Sequence, residues 1–451
     1  MNRLIETFKN IWGIEELRKR ILLTLGMLFV FRLGTFVLLP GVNAQALDAL
    51  ANSRSGSNDL LGLINTFTGG AFSKGAIFAL GVMPYITASI IIQLLGFAVP
   101  YFQRLQQHEG ESGRKKLNQL TRFLTIGVAA VQGSGYLTYL TSQNAIAQGL
   151  NPGVFWFSGL VILTAGTVFA MWLGERITEK GLGNGTSFII MSGIIDVLPQ
   201  AVIAEFSLQG GFTFVLEMAI WFAIIMGIIV VIQAVRKIPL QFAKRMVGRT
   251  GAEVPAAGNR DYLPIKLNSA GVMPIIFAQA LMFIPSTIAQ FAGGNTDPNS
   301  FIGKLNDYTS LPHNALYFVL VVVFTYIYTA LIVNPQQYSE YLKRQNAFIP
   351  GVKPGENTAE FIDAVTTRIT LPGAIILGFI SIMPGMAAFF GVSSGFARFF
   401  GGTSILIMIG VILDTLTQIE SYLLLSKYDG LTKSGKLQGR GGLINVGEGG
   451  L

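Results

Sequence analysis

The sequence predicts an all-α polytopic membrane protein, and three observations carry that expectation. Of 451 residues, 51% are hydrophobic and only 12% are charged, about half the charged share of a typical soluble domain, and the mean hydropathy is +0.55. Ten apolar runs are each long enough to cross a hydrocarbon core of about 30 Å as a helix. The basic residues between those runs fall almost entirely on alternate connections. This composition excludes a soluble globular enzyme, a disordered chain and a disulfide scaffold. The absence of cysteine removes disulfides, zinc–thiolate sites and cysteine nucleophiles.

Taken in order, residues 1–20 come first. Leu4, Phe8, Ile11 and Trp12 recur there at helical spacing among charges, the pattern of a helix lying on the membrane surface or of a basic tail. The spans follow at 21–39, 73–96, 121–141, 154–174, 186–204, 213–235, 271–292, 314–334, 369–390 and 402–425. Pro84, Pro274, Pro285 and Pro384 fall inside them, which membrane helices tolerate. The first run ends at Leu39–Pro40 with no small-residue cleavage pattern, so it reads as a span and not as a cleaved signal. Of the 32 Lys and Arg, 27 lie before span 1 or after the even-numbered spans and Arg32 lies within span 1. Only Arg54, Lys74, Lys304 and Arg398 fall on the other side, so both termini are expected in the cytoplasm. Ten spans divide as five (21–204) and five (205–425), followed by a tail, 426–451. An odd number per half makes any internal repeat inverted in the membrane.

Between spans 1 and 2, residues 58–72 (NDLLGLINTFTGGAF) are apolar but cover only about 22 Å as helix. Such a segment either re-enters the membrane inside a protein-lined cavity or lies on the outer surface, with Asn58 or Asp59 as its cap. Loop 236–268 holds seven basic residues against Glu253 and Asp261 and suits an acidic or RNA surface. Loop 335–367 is near neutral.

Ionisable residues within the spans are few: Arg32, Asp196, Glu217 and Asp414, with Lys74, Glu175 and Arg368 near ends. A secondary transporter of small solutes, the rival reading, concentrates such groups at the midplane, whereas here they are scattered. The two histidines, His108 and His313, lie outside the expected spans, which disfavours an intramembrane zinc or Ser–His enzyme. No phosphate-binding loop is present, so no cofactor is expected and any ATP chemistry belongs to a partner.

Five segments resemble one family: LGVMPYITASIIIQLL (80–95), MWLGERITEKGLGNGTSF (171–188), NSAGVMPIIF (268–277), FIPGVKPGENTAEFID (348–363) and FGGTSIL (400–406). In order and spacing they resemble the SecY family, the channel subunits of bacterial preprotein translocases, over about residues 1–440. The resemblance implies a protein-conducting channel that hydrolyses nothing itself. Its two five-span halves would hinge between spans 5 and 6, in the bacterial inner membrane. It also implies that 58–72 is a re-entrant plug, with Leu60, Leu61, Leu63, Ile64, Phe67 and Phe72 as its apolar residues. The family closes its pore with an apolar ring, which falls here on Val82, Ile86, Thr186, Ile190, Ile276 and Ile407. Thr186 departs from the aliphatic pattern, and Ile194 is the alternative on that span. Pairs at i and i+4 share one helix face, and an apolar constriction resists hydrated ions by dewetting.

The same resemblance implies a lateral exit for signal sequences into lipid between spans 2–3 and 7–8. Its polar positions are Thr87, Gln132 and Thr287. Implied partners are the ATPase SecA, the ribosome, small subunits resembling SecE and SecG, and unfolded preproteins; DNA is not among them. Lys244, Arg245, Arg249, Arg344 and Lys353 would meet the motor or ribosome. Lys353 stands where the family has arginine and lacks the planar guanidinium fork.

Overall fold

A computed structural model describes residues 11–43, 47, 60–107, 110–147, 151–242, 261–291 and 300–433. Ten long helices dominate it: α1 (Glu15–Gly34), α2 (Met83–Ala98), α3 (Gly110–Ser142), α4 (Pro152–Lys180), α5 (Gly185–Leu208), α6 (Gly211–Gln233), α7 (Met273–Phe291), α8 (Leu311–Ile332), α9 (Glu356–Phe389) and α10 (Gly402–Lys433). Six of them, α4, α5, α6, α8, α9 and α10, are long and apolar enough to cross a membrane. The shorter apolar stretches Met83–Gly96 and Met273–Ile284 lie in α2 and α7.

Local chemistry sets several starts. Asn151 accepts the Gly153 N–H ahead of Pro152, Asn184 accepts from Thr186 and Ser187, and Ser310 accepts from His313. Each relieves amides that the first helical turn leaves without partners. Pro84 occupies the first turn of α2, where no intrahelical donor is lost. Pro199, Pro372 and Pro384 lie inside helices.

Some expected boundaries shift. Span 2 was expected from residue 73, but α2 begins at Met83. Residues 75–82 form turns tied to the chain after α1 through Leu39 N–Gly75 O (2.8 Å) and Ile77 N–Val37 O (2.9 Å). Helix α3 starts eleven residues before the expected 121, and α9 starts thirteen before 369. Apolar-run counting locates only the lipid-facing part of a helix. Helix α8 begins at Leu311, so His313 sits in its first turn, not outside every span as the sequence suggested.

The helices pack as two groups. In one, α1 meets α4 and α5, α2 meets α3 and α4, α3 meets α4, and α4 meets α5. In the other, α7 meets α8 and α10, α8 meets α9, and α10 meets α6 and α9. The groups touch along two seams, with α7 against α2 and α3 on one side and α5 against α6 and α10 on the other. A small three-stranded sheet, which helix-seeking patterning did not anticipate, joins two connections at one end of the bundle. It comprises β1 (Val235–Phe242), β2 (Asp261–Lys266) and β3 (Ala347–Phe348), ordered β2-β1-β3 and antiparallel throughout. Val235 pairs with Lys266 and Phe242 with Ala347. Ile238, Leu240, Ile265, Leu342, Ile349 and Ile362 form its own apolar core.

Candidate functional site

Where the two groups meet lies an extended apolar core. Val82 is the residue before α2, and Ile86 is one turn into that helix. Ile190 lies on α5, Ile276 on α7 and Ile407 on α10. All five are buried, at 2–8% exposure, in a single hydrophobic cluster. Four helices thus contribute branched aliphatic side chains to one extended apolar core. A cavity of about 320 Å³ opens on this core, with Ile86, Ile190 and Ile276 in its wall and Tyr85, Arg122, Glu175 and Asn184 around them. Arg122 and Glu175 form a two-pronged ion pair at 3.0 and 2.8 Å. Thr186 also lines the cavity, in the first turn of α5 and half-buried, whereas Ile194 is fully buried within the apolar cluster.

A short helix, Leu60–Phe67, sits against α5 and α7. It is followed by a turn at 68–70 and a further short helix, Ala71–Lys74. Phe67 is buried in the same large apolar cluster, and Ile64 packs on that cluster. Phe72 is buried in a second cluster beside Tyr136, ring centroids 4.7 Å apart, and the Tyr136 hydroxyl donates to the Phe72 carbonyl at 2.7 Å. The Asn65 side chain accepts the Ser73 N–H, and Thr68 Oγ1 accepts that of Phe72. Asn58 and Asp59, and the side chains of Leu60, Leu61 and Leu63, lie outside what is described.

The contacts that seat this segment were not singled out from sequence. Arg32 Nη1 donates to the Gly69 carbonyl at 2.9 Å, and Arg32 Nη2 lies 2.5 Å from Asp196 on α5. The turn passes so close to α5 that a Cβ at Gly193 would lie 2.5 Å from the Phe67 oxygen and 2.9 Å from the Gly69 nitrogen. Gly69 itself adopts φ +62°, a conformation that disfavours side chains. Sequence reasoning took Arg32 and Asp196 as scattered structural charges. Opposite charge on two apolar helices was the available signal, since intramembrane ions pair with one another or with carbonyls.

At the α7 seam, Thr87 Oγ1 donates to Met83 O and Thr287 Oγ1 to Phe283 O, each within its own helix. Gln132 is half-buried on α3. Lys244, Arg245 and Arg249 lie outside the described residues. Arg344 is exposed and pairs with Glu340 at 3.6 Å, while the Lys353 carbonyl accepts from Thr358 Oγ1. Beside them a cavity of about 570 Å³ gathers Glu340, Lys343, Glu356, Glu360 and Asp363. Among the described residues no group of three or more His, Asp or Glu side chains could hold a metal. His313 is buried with Nδ1 2.7 Å from the Leu305 carbonyl.

The SecY family model matches residues 76–416. The chain belongs to the SecY family. The protein translocase subunit SecY of Aquifex aeolicus is 42% identical over 435 residues, 94% of this chain and 98% of that one. That of Escherichia coli K12 is 41% identical over 441 residues, covering 95% and 97%. That of Streptomyces coelicolor is 40% identical over 444, covering 95% and 100%. The fold also resembles a solved structure described as that of a protein conducting channel, with TM-score 0.62, 16% identity, and 92% and 94% of the two chains covered. It likewise resembles canine Sec61 in a ribosome–channel complex, with TM-score 0.59, 15% identity and coverage of 92% and 94%. Family membership sets aside the small-solute transporter reading and makes the chain a multi-pass SecY-type translocase subunit.

Proposed function

We propose that this chain is the protein-conducting channel of a Sec translocon, passing unfolded polypeptide across the membrane and releasing apolar segments sideways into lipid. The observation that carries this reading is the burial of aliphatic residues from α2, α5, α7 and α10 in one apolar cluster where the two helix groups meet, with a short helix packed against α5 and α7. A waist of branched alkyl groups makes no specific contact with a passing chain and excludes hydrated ions by dewetting, which is what a conduit for arbitrary polypeptides needs. Val82, Ile86, Ile190, Ile276 and Ile407 form the ring in this reading. Thr186 contributes a hydroxyl on the cavity side, and Ile194 backs the ring. The segment 58–72 is the plug.

The seam of α7 against α2 and α3 is the lateral exit. Thr87 and Thr287 satisfy their hydroxyls within their own helices, so parting that seam breaks no hydrogen bond of theirs. The basic excess supports a bacterial inner-membrane orientation with both termini and the sheet in the cytoplasm. There, loop 236–268 and the Arg344–Lys353 region would meet SecA or the ribosome, and SecE-like and SecG-like subunits would brace the halves. The channel catalyses nothing in this scheme; the drive comes from the partner.

Reconstitution into lipid vesicles with small subunits, SecA and ATP tests the reading. A secretory precursor should become protected from added protease only when ATP is present. A precursor left fully digestible would overturn it.

A further inference from the structure

We infer that a small polar pocket enclosed by α7, α8, α9 and α10 is a binding site for ordered water, and that the bound water fastens α7 to α8. The site goes beyond the channel reading and stands whether or not the chain conducts polypeptide. The pocket has a volume of about 30 Å³. A bound water needs roughly 10–15 Å³ of such space, so there is room for one or two and for little else.

Each of the four helices brings a polar group to it. Gln279 comes from α7, His313 and Tyr317 from α8, Ser381 from α9 and Thr403 from α10. All five are buried, at 4% exposure. Gln279 Nε2 has no hydrogen-bond partner among the described residues. The Tyr317 hydroxyl, flanked by those of Ser381 and Thr403, forms no hydrogen bond of normal geometry either. Ser381 Oγ donates to the Leu377 carbonyl at 2.8 Å, so its oxygen offers only lone pairs. His313 Nδ1 lies 2.7 Å from the Leu305 carbonyl, which can only accept, so in the neutral ring Nε2 is an acceptor.

Donors and acceptors thus face one small space. Arg398 also borders it, yet an anion there would satisfy the donors and leave lone pairs of His313 and Ser381 against it. Water donates and accepts, and bridging water is the usual partner of buried polar groups that cannot reach one another. The remaining α7–α8 contacts named by ring geometry are aromatic, with Phe277 6.0 Å from Phe324 and 5.3 Å from Tyr328 between centroids. Such contacts let helices slide. A water held by Gln279 and Tyr317 adds a directional bond, about one turn along α7 from Ile276.

The test has two arms, both on the full chain in lipid. A density map sharp enough to show ordered water elsewhere in the bundle should show one within hydrogen-bond reach of Gln279 Nε2 and the Tyr317 hydroxyl. Direct contact between the two side chains, an ion, or a dry pocket would overturn the site. Thermal unfolding then reads the fastening. Gln279→Met and Tyr317→Phe should each lower the midpoint by about 2 °C. Together they should lower it no further than the larger single loss, because either change removes the bridge. A higher midpoint in either variant would mean that a dry polar group had been relieved, and additive losses would mean two separate contacts; each result overturns the bridge. Tyr317→Phe removes one oxygen and keeps the ring, so its midpoint decides the sign if Gln279→Met does not accumulate.

Discussion

Ile86 and Ile407 show how little a single side chain must change to alter a seal of this kind. Each is buried among alkyl groups from neighbouring helices, and the waist excludes ions only while no side chain there holds water. Ile86→Asn or Ile407→Asn is expected to raise resting ion conductance several-fold and to relax selection of signal sequences. Single-channel recording without precursor checks the first effect. Gly193 acts through space. Any side chain there meets the Phe67 oxygen and the Gly69 nitrogen, which are backbone atoms and cannot swing aside. Gly193→Val should lift the plug and leak at rest, whereas a valine two residues earlier, Met191→Val, should leave the seal near parental. Resting conductance of the two variants side by side decides it. The family resemblance nominates the aliphatic residues one by one. Gly193 was not, since a glycine in an apolar helix has no signature of what passes beside it.

Among the elements, the two seams differ in chemistry. On the α5 side the groups are stitched by polar contacts at both ends. Gly183 N donates to Gln418 on α10 at 2.8 Å, and Arg20 lies 5.2 Å from the Tyr422 ring centre. At the far end of α5, Gln209 donates to the Gly391 carbonyl at 3.1 Å, and Glu205 accepts from Ser393 N and Oγ. The α7 side meets α2 and α3 with its threonines turned to their own backbones. In the proposed channel the stitched seam is the hinge and the other is the exit. Removing Gln418 and Arg20 together (Gln418→Ala, Arg20→Ala) should lower stability by about 1–2 kcal/mol, from the Gln418 hydrogen bond, the Arg20–Tyr422 cation–π contact and the Arg20 bonds to Glu16 and the Gly181 carbonyl. Thermal unfolding in detergent measures it, and a stability equal to the parent would count against the stitching. The loops belong to this scale too. Arg245→Glu with Arg249→Glu should weaken motor or ribosome binding about tenfold at low salt and less at high salt, as a screened surface charge does. Titration at two ionic strengths reads both effects.

Across the whole molecule, the sequence by itself determined the class, the approximate number and place of the apolar helices, and the alternation of basic connections. These follow from the bilayer, which demands about 20 apolar residues per crossing and biases Lys and Arg to one side, whatever the helices touch. The motifs determined the family. Tertiary structure decided what contact alone decides. It joined two connections distant in sequence into the β2-β1-β3 sheet, which no helical period signals. It placed the start of α2 at Met83, because residues 75–82 bond to the chain after α1 instead of continuing the span. It turned Arg32 and Asp196 from isolated charges into a pair that holds the Gly69 turn. A periodic pattern records which solvent each face of a helix meets; it does not record which neighbour fills that face, and the seating of the Leu60–Phe67 helix depends on the neighbour.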